Sequence, residues 1–222
     1  MADVRAELSR FGVRIVQAGL VAGAGGNISA RDGAHIYMKP SGLALDEVGP
    51  DDWCVIELDS GRQVGGPHKP TSEVHMHLGC YRARPDIRAV FHTHSPWASG
   101  VISSGATLKP MFAEFVCDLG RIATVPYITP TTQALAEAVA RAVVNADTLF
   151  MTNHGILALG VTLKQAFYRC VVVEDAAKSQ IAATITGSPI FLTEAQCREL
   201  MALDAPRHRI RMMQESQPAS GE

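Results

Sequence analysis

The chain has 222 residues, 47% of them hydrophobic and 19% charged, with 20 basic against 22 acidic side chains. That apolar share suffices for a buried core and excludes a disordered chain, and a net charge of −2 removes a general electrostatic case for nucleic acid or an anionic membrane. The longest apolar run, Ala18 to Gly26, is far short of the roughly 20 residues of a spanning helix, and Asp3, Arg5, Glu7 and Arg10 interrupt any apolar leader, so a cytoplasmic protein without membrane contact is expected.

Val4, Leu8, Phe11, Ile15 and Leu20 recur close to helical period with charges between them and predict an opening helix. Gly23-Ala24-Gly25-Gly26-Asn27-Ile28-Ser29 reads as the loop that ends it. His35 to Met38 reads as a short strand closed by Lys39-Pro40-Ser41-Gly42, and Trp53 to Leu58 as a second. Asp59-Ser60-Gly61-Arg62 suits a hairpin turn into Gln63-Val64. Thr71 to Arg84 predicts a helix stopped by Pro85. Ala89 to His94 predicts a strand, with Pro96 in the first turn of the next helix.

In the second half, Arg121 to Val125 reads as a strand and Thr131 to Asn145 as a helix with Leu135, Val139 and Val143 on one face. Thr148 to Met151 and Gly155 to Leu159 are short strands flanking Asn153-His154. Leu163, Phe167, Cys170, Ala177 and Ile181 stripe a long helix from Thr162 to about Thr186. Thr193 to Leu203 is helical, and the polar end from Ser216 reads as a frayed tail. No linker or repeat divides the chain, so the reading is one α/β domain over residues 1–215. Its short neighbouring strands favour an antiparallel or mixed sheet over a doubly wound parallel one.

The five scattered cysteines form no Cys-x-x-Cys pair and read as small buried hydrophobes in a reducing compartment. The eight histidines are less evenly spread. His92 and His94, two apart on a strand, present both imidazoles on one face, as a borderline divalent metal requires; the bland alternative is a structural pair. His154, between a strand and Gly155, is the best third ligand. His75 and His77 lie on a predicted helix, where they diverge by about 200° and cannot clamp one ion. His77 reads as structural or as support behind the site, His75 as surface, and His35, His68 and His208 as unremarkable. Glu73 shares a helix face with His77 and follows Pro70-Thr71-Ser72, a helix start with hydroxyls and free amides suited to an anion. The loops Gly25 to Ser29 and Pro40-Ser41-Gly42 offer further donors, which together suggest a small phosphorylated substrate beside a Lewis acid.

Gly26-Asn27-Ile28-Ser29, Pro40-Ser41-Gly42, Thr71-Ser72-Glu73 with His77, Arg84-Pro85-Asp86, His92-Thr93-His94 and Asn153-His154-Gly155 occur in an order that resembles the class II aldolase/adducin superfamily, in particular its L-fuculose-1-phosphate aldolase branch. The resemblance runs from about residue 5 to residue 185. It implies a three-layer α/β/α fold with a largely antiparallel central sheet, and a homotetramer with active sites between subunits. It implies zinc, or else manganese or cobalt, held by His92, His94 and His154, with Glu73 as fourth ligand and then acid/base. Asn27, Ser41, Gly42, Thr71 and Ser72 would cradle the phosphate of a ketose 1-phosphate cleaved to dihydroxyacetone phosphate and an aldehyde.

One departure concerns the aldehyde end, where the branch uses tyrosines from a neighbouring subunit and the C-terminal tail. Here tyrosine occurs only at positions 37, 81, 127 and 168, and the corresponding stretch reads Met111-Phe112-Ala113-Glu114-Phe115. Glu114 or Tyr127 is therefore the expected proton donor, and an apolar deoxy- or methylthio-ketose tail would suit Met111, Phe112 and Phe115. Three competing readings remain within reach of the resemblance. Sugar-phosphate 4-epimerases carry aspartate where Glu73 stands. Methylthioribulose-1-phosphate dehydratases have a downstream glutamate that Glu114 could imitate. A metal-free, adducin-like interaction module would lack the three ligand histidines.

Overall fold

The computed structural model describes residues 3–215; the tail expected from Ser216 lies outside the described residues. The first helix, α1 (Val4–Gln17), is capped by the Asp3 carboxylate on the Arg5 amide and buries Val4, Leu8, Phe11 and Ile15, the stripe that its sequence period announces. Four strands follow, β1 (Asn27–Asp32), β2 (His35–Met38), β3 (Cys54–Glu57) and β4 (Gln63–Gly65). Then come α2 (Val74–Ala83), β5 (Ala89–Thr93), α3 (Pro96–Ser103), α4 (Ala113–Asp118), β6 (Ile122–Val125) and α5 (Gln133–Val143). The remainder comprises β7 (Thr148–Met151), β8 (Gly155–Gly160), α6 (Leu163–Thr186), α7 (Glu194–Ala202) and α8 (Asp204–Gln214).

The eight strands form one sheet in the order β4-β3-β2-β1-β5-β8-β7-β6. Every neighbouring pair is antiparallel except β6 and β7, which run parallel. The expectation of a largely antiparallel sheet is thus amended to a mixed one. The parallel pair arises because α5 carries the chain back from the end of β6 to the start of β7, and a parallel connection needs such a crossover. Helices cover both faces. Met76, Leu78 and Tyr81 of α2 and Leu135, Val139 and Val143 of α5 pack with Val90, Leu149, Leu157 and Leu159 on one face. On the other, α1 and α6 enclose Ile28, Ala89, Phe91 and Ala158, and α3, α4 and α6 enclose Phe150 and Ile156.

Four elements differ from the sequence reading. β1 occupies part of the presumed glycine-rich loop; Asn27 and Ser29, facing α2, are buried but polar, and only Ile28 and Ala30 alternate with them as apolar residues, a pattern too short to stand out from the loop. α4 is a single short segment and α8 is dominated by charge, which leaves neither with a readable stripe. α2 begins at Val74 rather than Thr71, because Pro40 and Pro70 form an isolated antiparallel bridge and the Thr71 amide donates to the Lys39 carbonyl at 3.0 Å. That pairing also corrects the expectation of free amides there: Glu73 N–H donates to Thr71 Oγ1 at 3.4 Å and Val74 N–H to the Thr71 carbonyl at 3.2 Å.

Phe11 stacks edge-on against Phe91 at 6.0 Å and tilts against Phe167 at 5.6 Å, joining α1 and α6 through the central strand. Phe11→Ala is expected to cost about 3–5 kcal/mol, read as a shift in the denaturant midpoint. A loss well below that range would mean this face is not the tightly packed one.

Candidate active site

β5 lies mid-sheet between β1 and β8, with His92 opposite Asn27 on one side and Leu157 on the other. Strand alternation turns Ala89 and Phe91 to the α1/α6 face, and Val90 and His92 to the α2/α5 face. His94 stands just past the strand end. His154 enters from the β7–β8 turn, where Asn153 takes φ +53°, a left-handed conformation that asparagine tolerates. The Asn153 amide is pinned to Ser103 Oγ at 3.0 Å, and the His154 amide to the Met151 carbonyl at 3.1 Å.

The imidazole tautomer of His92 follows from its partner. Nδ1 lies 2.9 Å from the Ile156 carbonyl oxygen; a carbonyl only accepts, so Nδ1 carries the proton and Nε2 keeps its lone pair. His92 Nε2 stands 3.0 Å from His94 Nε2 and 3.3 Å from Glu73 Oε2, while His154 Nε2 stands 3.1 Å from Glu73 Oε1. Ligand atoms of His92, His94 and His154 all lie within 4.8 Å of one another. Tetrahedral ligands at about 2.0–2.1 Å from a zinc-sized ion lie roughly 3.3 Å apart, close to these separations. Glu73 Oε1 is buried and receives no aligned hydrogen bond, so the cluster contains an anionic oxygen suited to a cation. These residues fit a divalent metal.

Protonation agrees. Burial drives His92 down, towards the neutral form, and does the same to His94. Burial alone would raise Glu73, but the adjoining His92 and His154 imidazoles and the hydrogen bond from Asn27 outweigh it and hold the carboxyl well below its usual range. Neutral imidazoles and an ionised carboxylate are the states that ligate metal. Backbone shape serves the same cluster. A Cβ on Gly155 would overlap the Thr93 carbonyl oxygen and lie 3.2 Å from both the His92 and His94 rings, and one on Gly25 would lie 3.2 Å from His94 Nδ1.

Glu73 is the N-cap residue of α2, yet its side chain makes no capping bond; it is turned to the histidines instead. Asn27 Nδ2 donates to Glu73 Oε2 at 2.9 Å, and Asn27 Oδ1 accepts from His77 Nε2 at 2.5 Å. Both ends of that amide are therefore engaged within the chain. The Pro40–Pro70 bridge, together with the Ser41 amide on the Lys69 carbonyl at 2.8 Å, sets Ser41 and Gly42 beside Thr71 and Ser72. Ser41, Gly42 and Ser72 are exposed, whereas Thr71 is buried.

Sequence reasoning gave Lys39 and Tyr81 no role and read Ser29 only as part of a loop of anion donors. Lys39 is buried, its Nζ donating to the Ala24 carbonyl at 2.8 Å; burial lowers its pKa, and its charge acts on His94. The available signal was its place directly before Pro40-Ser41-Gly42. Two expected residues are not brought to the cluster. Glu114, on α4, pairs with Arg209 of α8 at 2.9 Å, and Tyr127 is 54% exposed between β6 and α5. Among the described residues, neither makes a hydrogen bond or ion pair to the histidines or Glu73. Phe115 is packed in the α3/α4/α6 core, which takes it out of the expected apolar aldehyde pocket, while Met111 and Phe112 are half-buried.

The family model for the class II aldolase and adducin N-terminal domain matches residues 6–181. The chain is 34% identical over 199 residues to a 5-deoxy-D-ribulose 1-phosphate aldolase of Bacillus thuringiensis serovar kurstaki, covering 88% of this chain and 92% of that one. It is 37% identical over 158 residues to an L-fuculose phosphate aldolase of Methanococcus maripaludis, covering 71% and 85%. A solved L-fuculose 1-phosphate aldolase superposes with a TM-score of 0.82 at 30% identity, over 90% of this chain and 95% of the other.

Gly155→Ala forces the β7–β8 turn away from the His92 and His94 rings, so divalent metal carried through purification, measured by atomic emission, should fall well below wild type. Unchanged metal content would contradict this account of the packing.

Proposed function

The chain belongs to the class II aldolase and adducin family, and from that membership we propose that it is a metal-dependent lyase cleaving a ketose 1-phosphate to dihydroxyacetone phosphate and an aldehyde. The observation that carries the reading is the convergence of His92, His94, His154 and Glu73, with a buried carboxylate oxygen left unpartnered. A metal-free interaction module has no use for such a cluster at the centre of its sheet. A divalent cation held by these residues, zinc or else manganese or cobalt, would act as a Lewis acid towards the negative charge that develops on the substrate oxygens.

The remaining chemistry belongs to the chain. When the C3–C4 bond breaks, the C4 hydroxyl gives up its proton and C3 gains one. Glu73, ionised and tethered by Asn27, is placed to carry the C3 proton. Ser41, Gly42, Thr71 and Ser72 form the proposed phosphate cradle, with the buried Lys39 charge behind it, whereas the Asn27 side chain is committed to Glu73 and His77. Within one chain Glu114 and Tyr127 do not contact the cluster, so a role for either at the C4 oxygen requires a second copy, in line with a proposed homotetramer. The Arg209 hydrogen bond holds the Glu114 carboxyl below its usual range, which favours Tyr127 as the donor in the condensation direction. No helix among the described residues is long and apolar enough to cross a membrane, and a cytoplasmic location is part of the proposal.

The absence of tyrosine beyond Tyr168, with half-buried Met111 and Phe112, supports a substrate whose aldehyde end is apolar, a deoxy- or methylthio-ketose 1-phosphate. The similarity to a 5-deoxy-D-ribulose 1-phosphate aldolase points the same way. Dihydroxyacetone phosphate release should be fastest with such substrates in a ketose 1-phosphate panel and abolished by a chelator. Clear preference for fuculose 1-phosphate would sink the apolar-tail assignment; no release from any member would sink the aldolase reading. Glu73→Gln should keep its fold and slow proton exchange on dihydroxyacetone phosphate by about 10²–10⁴-fold; exchange at the wild-type rate would remove Glu73 from this role.

A further inference from the structure

β1 and α2 face each other across a chain of buried hydrogen bonds that ends on Glu73. Glu73, His77 and Tyr81 recur every fourth residue along one helical face, and Asn27 and Ser29 alternate onto the facing side of β1. Tyr81 Oη lies 2.9 Å from Ser29 Oγ, which lies 2.7 Å from His77 Nδ1. His77 Nε2 lies 2.5 Å from Asn27 Oδ1, and Asn27 Nδ2 lies 2.9 Å from Glu73 Oε2. All five side chains are buried, His77 and Ser29 completely.

The end group sets the direction of every bond. An ionised carboxylate only accepts, so Asn27 turns its NH2 to Glu73 and its carbonyl to His77. That carbonyl also only accepts, so His77 carries its proton on Nε2. Its Nδ1 then accepts from the Ser29 hydroxyl, whose oxygen accepts from Tyr81. Burial keeps the His77 ring neutral, as this one-way pattern requires.

We propose that His77 is a positioning residue that decides which end of the Asn27 amide faces Glu73, tethering Oε2 so that the carboxylate is held against both His92 and His154. The inference rests on the metal-site reading above. Without the Nε2 proton, the buried Asn27 carbonyl loses its one donor among the described residues, and a buried unpaired acceptor is costly. A flipped amide would then set its oxygen against the Glu73 carboxylate. The tether falls on Oε2, while Oε1 is the oxygen left without an aligned donor.

Two substitutions separate the ring nitrogens. His77→Gln can place an amide N–H where Nε2 stands. His77→Asn reaches only to the Nδ1 position and leaves Asn27 Oδ1 without a donor. Titrating the full-length metal-free protein with Co2+, followed by visible absorption, reads the site independently of turnover. His77→Gln should bind Co2+ nearly as wild type does, whereas His77→Asn should lose about 10–100-fold in affinity, with a changed cobalt spectrum. In an Asn27→Ala background the His77→Asn substitution should add no further loss, since both act through one amide. Equal affinities for the two single variants, or losses that simply add, would overturn the proposal. If His77→Asn does not fold, His77→Gln decides alone: near-wild-type affinity supports the role, and a loss as large as that of Asn27→Ala refutes it. Wild-type protein that binds no Co2+ would overturn the metal-site reading itself and this inference with it, an outcome distinct from variants that bind equally.

Discussion

A carboxylate buried against the middle of a sheet is the constraint on which the rest of this structure depends. Glu73 is 7% exposed, and an ionised group so placed is strongly destabilising unless partners surround it. Those partners arrive from three separate elements, and the carboxylate from a fourth. Asn27 comes from β1, His92 from β5, His154 from the β7–β8 turn, and the carboxylate itself from the start of α2. The strand order β1-β5-β8 is therefore what makes the site, because it sets three polar side chains from distant parts of the chain on one edge of one face. A cation held among them would complete the charge balance, and metal binding and correct docking of these strands would then be linked events.

The sheet separates this chemistry from much of the apolar packing that holds it. Phe91 and His92 are neighbours in sequence on opposite faces: the first locks α1 and α6 onto the sheet, the second joins the cluster. Because β5 is covered on both sides, a loss of packing behind it acts on stability without touching a ligand. Close backbone approach on the ligand side acts differently. Gly155 is tight against Thr93 and both strand histidines, so even a methyl group there is felt directly by the site.

Legibility in the sequence followed from whether a residue's signal is local. The helices α1, α5 and α6 announced themselves through apolar period, and the His92–His94 pair through strand alternation, because neighbours along the chain carry that information. β1 did not, because its positions facing α2 are Asn27 and Ser29, which serve hydrogen bonds rather than hydrophobic burial, and Ile28 and Ala30 on the other face make too short an apolar alternation. The direction of the Tyr81–Ser29–His77–Asn27–Glu73 chain is a property of partners 46 to 52 positions apart, which no window over the sequence can contain. Lys39 looked like a loop residue and is a buried cation. The pairing of Glu114 with Arg209 was equally hidden, since α8 lacks an apolar stripe to reveal that it returns to α4.

The same layout explains how a sequence can keep one half of a reaction while altering the other. The groups proposed for the metal, the phosphate and the C3 proton lie on β1, β5, the β7–β8 turn, the start of α2 and the bridged loops around Pro40 and Pro70. Each is constrained by at least one of the others, through the Asn27 amide, the Ile156 carbonyl or the Thr71–Lys39 pairing. Residues proposed for the aldehyde end lie on α4 and the β6–α5 loop, and among the described residues these make no hydrogen bond or ion pair to the cluster. Substitution there leaves the buried charge balance intact. Such a division of constraints would permit change at the proposed aldehyde end while the apparatus proposed for the three carbons that carry the phosphate stays fixed.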